Sequence, residues 1–470
     1  MARTAYRTAP LKTSRMPPGI GFIVGNEAAE RFSYYGMNSI LVPFMTHYLV
    51  TSAGAPDVMK PEQADAWYHA FTSTAYFLPV VGAFLADAFL GKYRTILMLS
   101  MVYCLGHLVL ALNVTRAGLL LGLGLIALGT GGIKPCVGAN VGDQFGPSNQ
   151  HLLPRVFNWF YFSINAGAIL STLLVPWLLE PYTAPASLAA RLPGWLVAAL
   201  EKCHGSHIAF GTPGVFMAIA TVIFWMGRNR FTHIPAAGFR RYVGELFQRE
   251  HARALLNLLI LMPFPAVFWS LWNQNFSSWV VQAEKMDRHL FGIDWLPAQI
   301  QTVNPLFILL MLPLFSYVIY PAVNRVFPLT PLRKIGAGLF LAAGAFWIIA
   351  QIQVRIDAGF HPNILWQILA FVVVTAAEVM VSVTHLEFAY TQAPRKLKSL
   401  VMCTYLGAIS LGNLFTALVN YWIQTPDGTP RLAGAAYFNF FVIVMLAASV
   451  LYVGVAMVYR GKTYIQDEAG

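Results

Sequence analysis

The feature that most constrains this chain is the recurrence of long apolar stretches near residues 19–49, 65–90, 94–114, 117–139, 153–177, 209–228, 254–283, 297–321, 332–355, 362–391, 397–424 and 433–459. A helix needs about 20 apolar residues to cross a hydrocarbon core of about 30 Å. Each stretch is long enough, and the surplus length of several is read as tilt or kinks. Lipid must be the main solvent: of 470 residues only 11% are charged and 57% are hydrophobic, against about 25% charged in an average soluble domain. The fold class expected is therefore an all-α integral membrane protein with twelve transmembrane helices in two six-helix halves. Leu188–Leu200, interrupted by Pro193 and Gly194, is expected to be a loop.

Charge placement orients the chain. The first 18 residues are polar and basic (Arg3, Arg7, Lys12, Arg15) and lack the apolar stretch of a secretory signal. With a cytoplasmic N-terminus, 21 of the 31 lysines and arginines fall in inner segments, 8 in outer ones and 2 inside helices. This bias places both termini in the cytoplasm. It divides the chain into a tail 1–18, a six-helix bundle 19–228, a linker 229–253, a second bundle 254–459 and a tail 460–470. The net charge of +11 follows from this topology and is not a nucleic-acid footprint, because the basic residues sit in short clusters and form no polar face. The basic linker (Arg228, Arg230, Arg240, Arg241, Arg249, Arg253) reads as a solvated inner loop, with a lipid-headgroup site as the alternative. Cys104, Cys136, Cys203 and Cys403 have no paired spacing, so neither a disulfide framework nor a metal site is expected. GxxxxGK[ST] and HExxH are absent, which argues against ATP-driven transport and against a membrane protease.

Charges at membrane depth cost about 2.5–3.5 kcal/mol each on insertion scales, so those retained usually face a bundle interior and serve a function. The first segment carries Glu27, Glu30, Arg31 and Tyr34 at i, i+3, i+4 and i+7, all on one helical face. Tyr35 lies beside that stripe. The fourth segment carries Lys134 within GTGGIKP, and the tenth carries Glu378. Three carboxylates thus face two fixed cations, and an unmatched carboxylate in low dielectric favours its protonated form. The set contains a candidate proton acceptor. The alternative is that these charges only pin helices together, a role for which buried ion pairs are weak evidence.

Other polar groups read as cavity lining. His69 on the second segment, next to Tyr68 and seven residues before Tyr76, is a candidate proton site. Asn165 follows Tyr161 by one helical turn, and Asn304 with Gln301 precedes Pro305. Trp269, Trp272, Asn273 and Trp279 offer aromatic walls on the seventh segment, and Ser382 follows Glu378 by one turn. Arg31 and Lys134 from one half opposite Glu378 from the other would suit a short zwitterion.

These residues resemble the proton-dependent oligopeptide transporter family of the major facilitator superfamily. Glu27-Ala-Ala-Glu30-Arg31-Phe32-Ser33-Tyr34-Tyr35-Gly36 matches the family's ExxERFxYYG motif. Gly82 to Arg94, GTGGIKP, Phe157 to Gly167, Asn304-Pro305 and Glu378 to Pro394 are similar to further family segments. The resemblance implies a major facilitator fold and uptake of di- and tripeptides with protons by alternating access. It implies proton coupling at Glu27, Glu30, Arg31 and His69. Substrate binding is implied at Arg31, Lys134, Tyr35 and Tyr76 toward the peptide carboxylate and at Glu378, Asn165 and Asn304 toward its amino terminus, with Tyr68, Trp269, Asn273 and Ser382 completing the pocket. It also implies a monomer in a bacterial cytoplasmic membrane, with lipids, peptides and protons as partners, no nucleic acid, no cofactor and no enzymatic activity. A same-fold carrier of another solute such as nitrate is the alternative. Two departures stand out: Asn273 replaces an acidic residue common on the seventh helix, and Tyr405 stands where tryptophan is common on the eleventh.

Overall fold

The computed structural model describes residues 6–183, 193–236, 238–239, 259–391 and 398–459; the side chains of residues 387, 389–391 and 398–403 also lie outside the description. Most of the expected linker and all of the 460–470 tail therefore fall outside the described residues.

In lipid the backbone must satisfy its own hydrogen bonds, so apolar runs become helices. The described helices are α1 (Ile20–His47), α2 (Pro61–Leu90), α3 (Lys92–Leu112), α4 (Arg116–Asp143), α5 (Gln150–Leu179), α6 (Ser206–Asn229), α7 (Pro263–Trp272 and Ser278–Glu284), α8 (Pro297–Val326), α9 (Pro331–Asp357), α10 (Leu365–Leu386), α11 (Lys398–Ile423) and α12 (Ala435–Val458). Ten are long and apolar enough to cross a membrane by length and composition. The other two are α1, which carries Glu27, Glu30 and Arg31, and α7, which is broken by a 3-10 turn at Asn273–Phe276. A two-residue hairpin, β1 (His289–Leu290) with β2 (Ile293–Asp294), follows α7. Its Phe291-Gly292 turn takes φ of 56° and 78°, the twist that a tight antiparallel hairpin favours.

The expected loop over Leu188–Leu200 needs correction, because its described part begins a helix, Gly194–Lys202. Proline is disruptive inside a helix but not at its start, where no internal N–H bond is lost. Pro193 is the N-cap, with φ −57°.

Large apolar side chains such as Leu108, Leu120, Phe162, Ile443 and Leu451 point outward. Asn26, Ser33, Asn38 and His107 are buried. The interior polar groups meet one another: Ser33 Oγ lies 2.8 Å from His107 Nε2, and Asn26 Nδ2 donates to the Ala220 carbonyl at 2.9 Å. Helix α1 packs on α5 and α6, and α3 on α4 and α6; on the other side α9 packs on α10 and α12, and α7 on α11. The two sets meet where α2 packs on α11 and α5 on α8. Gly167 lets α5 approach α1 closely, since a Cβ there would fall 2.7 Å from the Ala28 carbonyl oxygen.

Hydrogen bonds between the sets cluster at the end bearing the α1–α2 connection. His47 Nε2 lies 3.0 Å from Glu284 Oε1, Lys60 Nζ donates to the Gly428 carbonyl at 3.2 Å, and Ser410 Oγ donates to the Ser73 carbonyl at 2.9 Å. Thr172 and Thr302 hydroxyls are 2.8 Å apart, and Gln299 Nε2 donates to the Leu173 carbonyl at 2.9 Å. At the opposite end, Lys92, just after the abrupt α2–α3 corner, pairs with Asp143 at the end of α4 at 2.7 Å. That corner is a single residue, Gly91, at φ 76°, ψ 153°, a region essentially confined to glycine. Gly91→Ala is expected to lower stability by about 1–3 kcal/mol, read as a reduced thermal midpoint of the purified protein in detergent.

Candidate functional site

The acidic and basic side chains of α1 do meet on one face. Arg31 Nε lies 3.1 Å from Glu27 Oε1 and Arg31 Nη2 lies 2.5 Å from Glu30 Oε2, with all three residues buried. One guanidinium thus holds two carboxylates, the arrangement its forked geometry permits. Lys134 receives neither. Among the described residues its buried ammonium has no hydrogen-bond acceptor, and it lies 4.3 Å from the Tyr34 ring centre and 3.7 Å from that of Tyr76. Aromatic faces attract a cation but leave its three N–H donors unused.

Glu378 ends the regular part of α10 and is followed by a π-helical turn, Val379–Val383. Such turns re-aim side chains and recur at functional positions. Its Oε2 accepts from Trp272 Nε1 at 2.8 Å and from Asn304 Nδ2 at 2.9 Å. Asn304 Nδ2 also donates to Thr375 Oγ1 at 3.0 Å. No cation pairs with Glu378 among the described residues. It lines a cavity of about 110 Å³ with Tyr35, Tyr161, Asn165, Trp272 and Asn304. Usual ligand pockets begin at about 300 Å³, so the cavity is contracted. Tyr35 stacks on Phe276 across it, with ring centres 6.3 Å apart.

The expected site residues therefore divide into groups. Tyr35, Asn165, Asn304 and Glu378 share the cavity wall. Arg31, Lys134 and Tyr76 form a separate cluster around Tyr34. Asn165 Nδ2 donates to the Tyr161 carbonyl at 2.9 Å. Asn273 turns back along its own helix, donating to the Trp269 carbonyl at 2.9 Å, and Trp269 packs edge-on against Trp272 and Tyr405. Neither Trp269 nor Asn273 lines this cavity. Ser382 Oγ lies 2.8 Å from Tyr405 Oη.

His69 lies nearer the α1–α2 end. Asn413 Nδ2 donates to the Ile409 carbonyl at 2.8 Å, which turns its oxygen toward His69. His69 Nδ1 lies 2.8 Å from that oxygen and therefore carries a proton, while Nε2 lies 3.0 Å from Ser277 Oγ. The imidazole thus joins α2 to α7 and α11. Tyr68 packs edge-on against it and accepts from Asn38 Nδ2 at 3.2 Å.

Three features were not foreseen. Trp272 is the direct indole partner of Glu378, yet nothing in a run of tryptophans on one helix distinguishes it. Ser277 follows the break in α7, which falls on a polar run, Asn273-Gln274-Asn275, that hydropathy alone takes as part of one span. Asp65, treated as the first residue of a span and left out of the buried charges, is only 4% exposed because α2 begins at Pro61.

A family model described as "POT family" matches residues 93–240 and 239–437. "Peptide transporter family 1" of Drosophila melanogaster is 36% identical over 385 residues, 73% of this chain and 48% of its own length. "Solute carrier family 15 member 2" of Homo sapiens is 36% identical over 388 residues, 73% of this chain and 50% of its own. The chain spans about half the length of the curated relatives it matches. A solved structure titled as the POT family transporter PepTSo superposes with a TM-score of 0.82 at 32% identity, covering 95% of this chain and 99% of that one.

The Glu378 contacts predict a measurable coupling. Asn304→Ala is expected to cost about 1.5–3 kcal/mol with Glu378 present and only about 0.5–1.5 kcal/mol in a Glu378→Gln background, read by unfolding in detergent as a double-mutant cycle. The motif on α1, the charges on α4 and α10 and the relatives' shared fold lead to one assignment: the chain is a multi-pass membrane protein of major facilitator fold that belongs to the POT family, a family of transporters and not of enzymes.

Proposed function

We propose that the protein is a proton-coupled symporter that imports di- and tripeptides by alternating access. The observation that carries this reading is the separation of unmatched charge: among the described residues Lys134 has no carboxylate partner and Glu378, across the interior, has no cation. A zwitterionic peptide complements both, its carboxylate toward Arg31 and Lys134 and its ammonium toward Glu378. The relatives' names support the same substrate class. A bare anion such as nitrate would leave Glu378 without a counter-charge.

In this scheme all twelve helices cross the membrane, both termini are cytoplasmic, and residues 19–228 and 254–459 form the two moving halves joined by 229–253. The protein acts as a monomer in a bacterial cytoplasmic membrane, with protons as its coupling ion and no cofactor. The end closed by the cross-half hydrogen bonds faces outward. A proton settling among Glu27, Glu30 and His69 weakens the hold of the two glutamates on Arg31 and frees it for the peptide carboxylate. After inward opening the proton leaves and Arg31 returns to Glu27 and Glu30, the pairing described above. Each charge moved through about 100 mV supplies about 2.3 kcal/mol, enough for about fifty-fold accumulation.

The test is uptake of a labelled dipeptide into liposomes under an inside-negative potential and acidic exterior. Gradient-dependent accumulation is expected; flux of nitrate but not of peptide would overturn the reading. Lys134→Ala is expected to reduce dipeptide uptake about tenfold to a hundredfold, the worth of one charge-assisted hydrogen bond. Glu30→Gln is expected to retain peptide counterflow and lose accumulation against a gradient, and accumulation that survives would sink the coupling scheme.

A further inference from the structure

Asp65 has no role in the arrangement so far, yet its environment is unusual. It lies in the second turn of α2, one turn before His69, at the seam between the two sets of helices. Its Oδ1 is buried without a hydrogen-bond partner among the described residues. It lies at the inner end of a recess of about 200 Å³ whose wall runs from exposed Pro61 and Lys285 down to buried Ser278, Asn420 and Tyr437. The charged and titratable groups around it are Glu62 and His69 on α2, Lys285 at the end of α7, Asp357 on α9 and Tyr437 on α12. None of these forms an ion pair with it among the described residues. Asp357 is already engaged, accepting from Gln353 Nε2 at 2.8 Å and from the Ala435 backbone N–H at 2.8 Å. A carboxylate buried without a cation is costly as an anion, whereas a recess that it lines together with exposed Pro61 and Lys285 gives a proton a way in.

Ser277 lies between this recess and the interior. Its hydroxyl lies 3.0 Å from His69 Nε2, and the next residue, Ser278, lines the recess together with Asp65. We propose that Asp65 is a proton-loading residue that takes a proton from the recess and passes it through Ser277 to His69. The step balances in two hops. Protonated Asp65 donates its O–H proton to Ser277 Oγ as the Ser277 hydroxyl proton moves to His69 Nε2. This leaves an Asp65 carboxylate that accepts from the re-formed Ser277 hydroxyl and an imidazolium still bonded through Nδ1 to Asn413. The two new charges then face each other through one hydroxyl.

This inference rests on the proton-coupled reading above, so its test has one arm that needs no transport. Acid-minus-neutral infrared difference spectra of the purified protein in lipid are expected to contain a protonated-carboxyl band that is lost in Asp65→Asn and displaced in frequency in Asp65→Glu. A band unaffected by both substitutions overturns the proposal, and if Asp65→Asn does not fold, the Asp65→Glu displacement alone decides. In the second arm, Asp65→Asn and Ser277→Ala are each expected to move the half-maximal external pH of dipeptide uptake several-fold in proton concentration, while peptide counterflow persists. Loss of the band in Asp65→Asn with an unchanged uptake profile overturns the relay. An Asp65 band in a protein that moves no peptide would sink the transport reading and leave proton loading standing.

Discussion

Lipid offers no hydrogen bonds, and this constraint underlies the rest of the structure. It forces the backbone into helices, turns leucine and phenylalanine outward and favours inward polar side chains that find a partner on their own or a neighbouring helix. Asn26 reaching a carbonyl of α6 and Ser33 meeting His107 are consequences of that rule. A buried charge that escapes it, such as the Lys134 ammonium, is informative, because an orphaned charged group is costly and calls for a reason.

The interior charges illustrate the point. Arg31 binds two carboxylates although Lys134 is available nearby, and Lys134 rests on tyrosine faces. A carrier with every charge matched internally would have little reason to take up a charged solute. Conversely, a cavity of fully exposed charges would be too stable in its open form. Partial pairing keeps the alternatives close in energy, so a ligand with modest preference for one state can redistribute the population.

Much of this was legible in the sequence, for identifiable reasons. The one-faced spacing of Glu27, Glu30, Arg31 and Tyr34 required only helical periodicity, and Lys134 and Glu378 stood out because charge is rare in apolar runs. Asp65 did not stand out because hydropathy blurs the start of a span, and Pro61 moves that start four residues upstream. Asn273 was legible as polar but not in direction: its amide bonds to the carbonyl of Trp269, one turn back. The break before Ser277 and the π-turn after Glu378 are changes of backbone hydrogen-bond pattern, which the periodicity of side-chain polarity does not record. Pro193 was misread because proline, which breaks a helix from inside, is tolerated at its start.

The contacts joining the two sets of helices have a kinetic consequence. They are made largely by hydroxyls, amides and imidazoles, among them Ser73 with Ser410, Thr172 with Thr302 and His69 with Asn413. Each is worth only about 1 kcal/mol net, because water replaces a parted neutral partner almost in kind. A seam stitched in this way behaves as a row of weak, independent fasteners. It can part progressively from its wet edge, one bond at a time, and its opening rate is then set by the shearing of α2 along α11 and of α5 along α8 rather than by the rupture of any single strong bond.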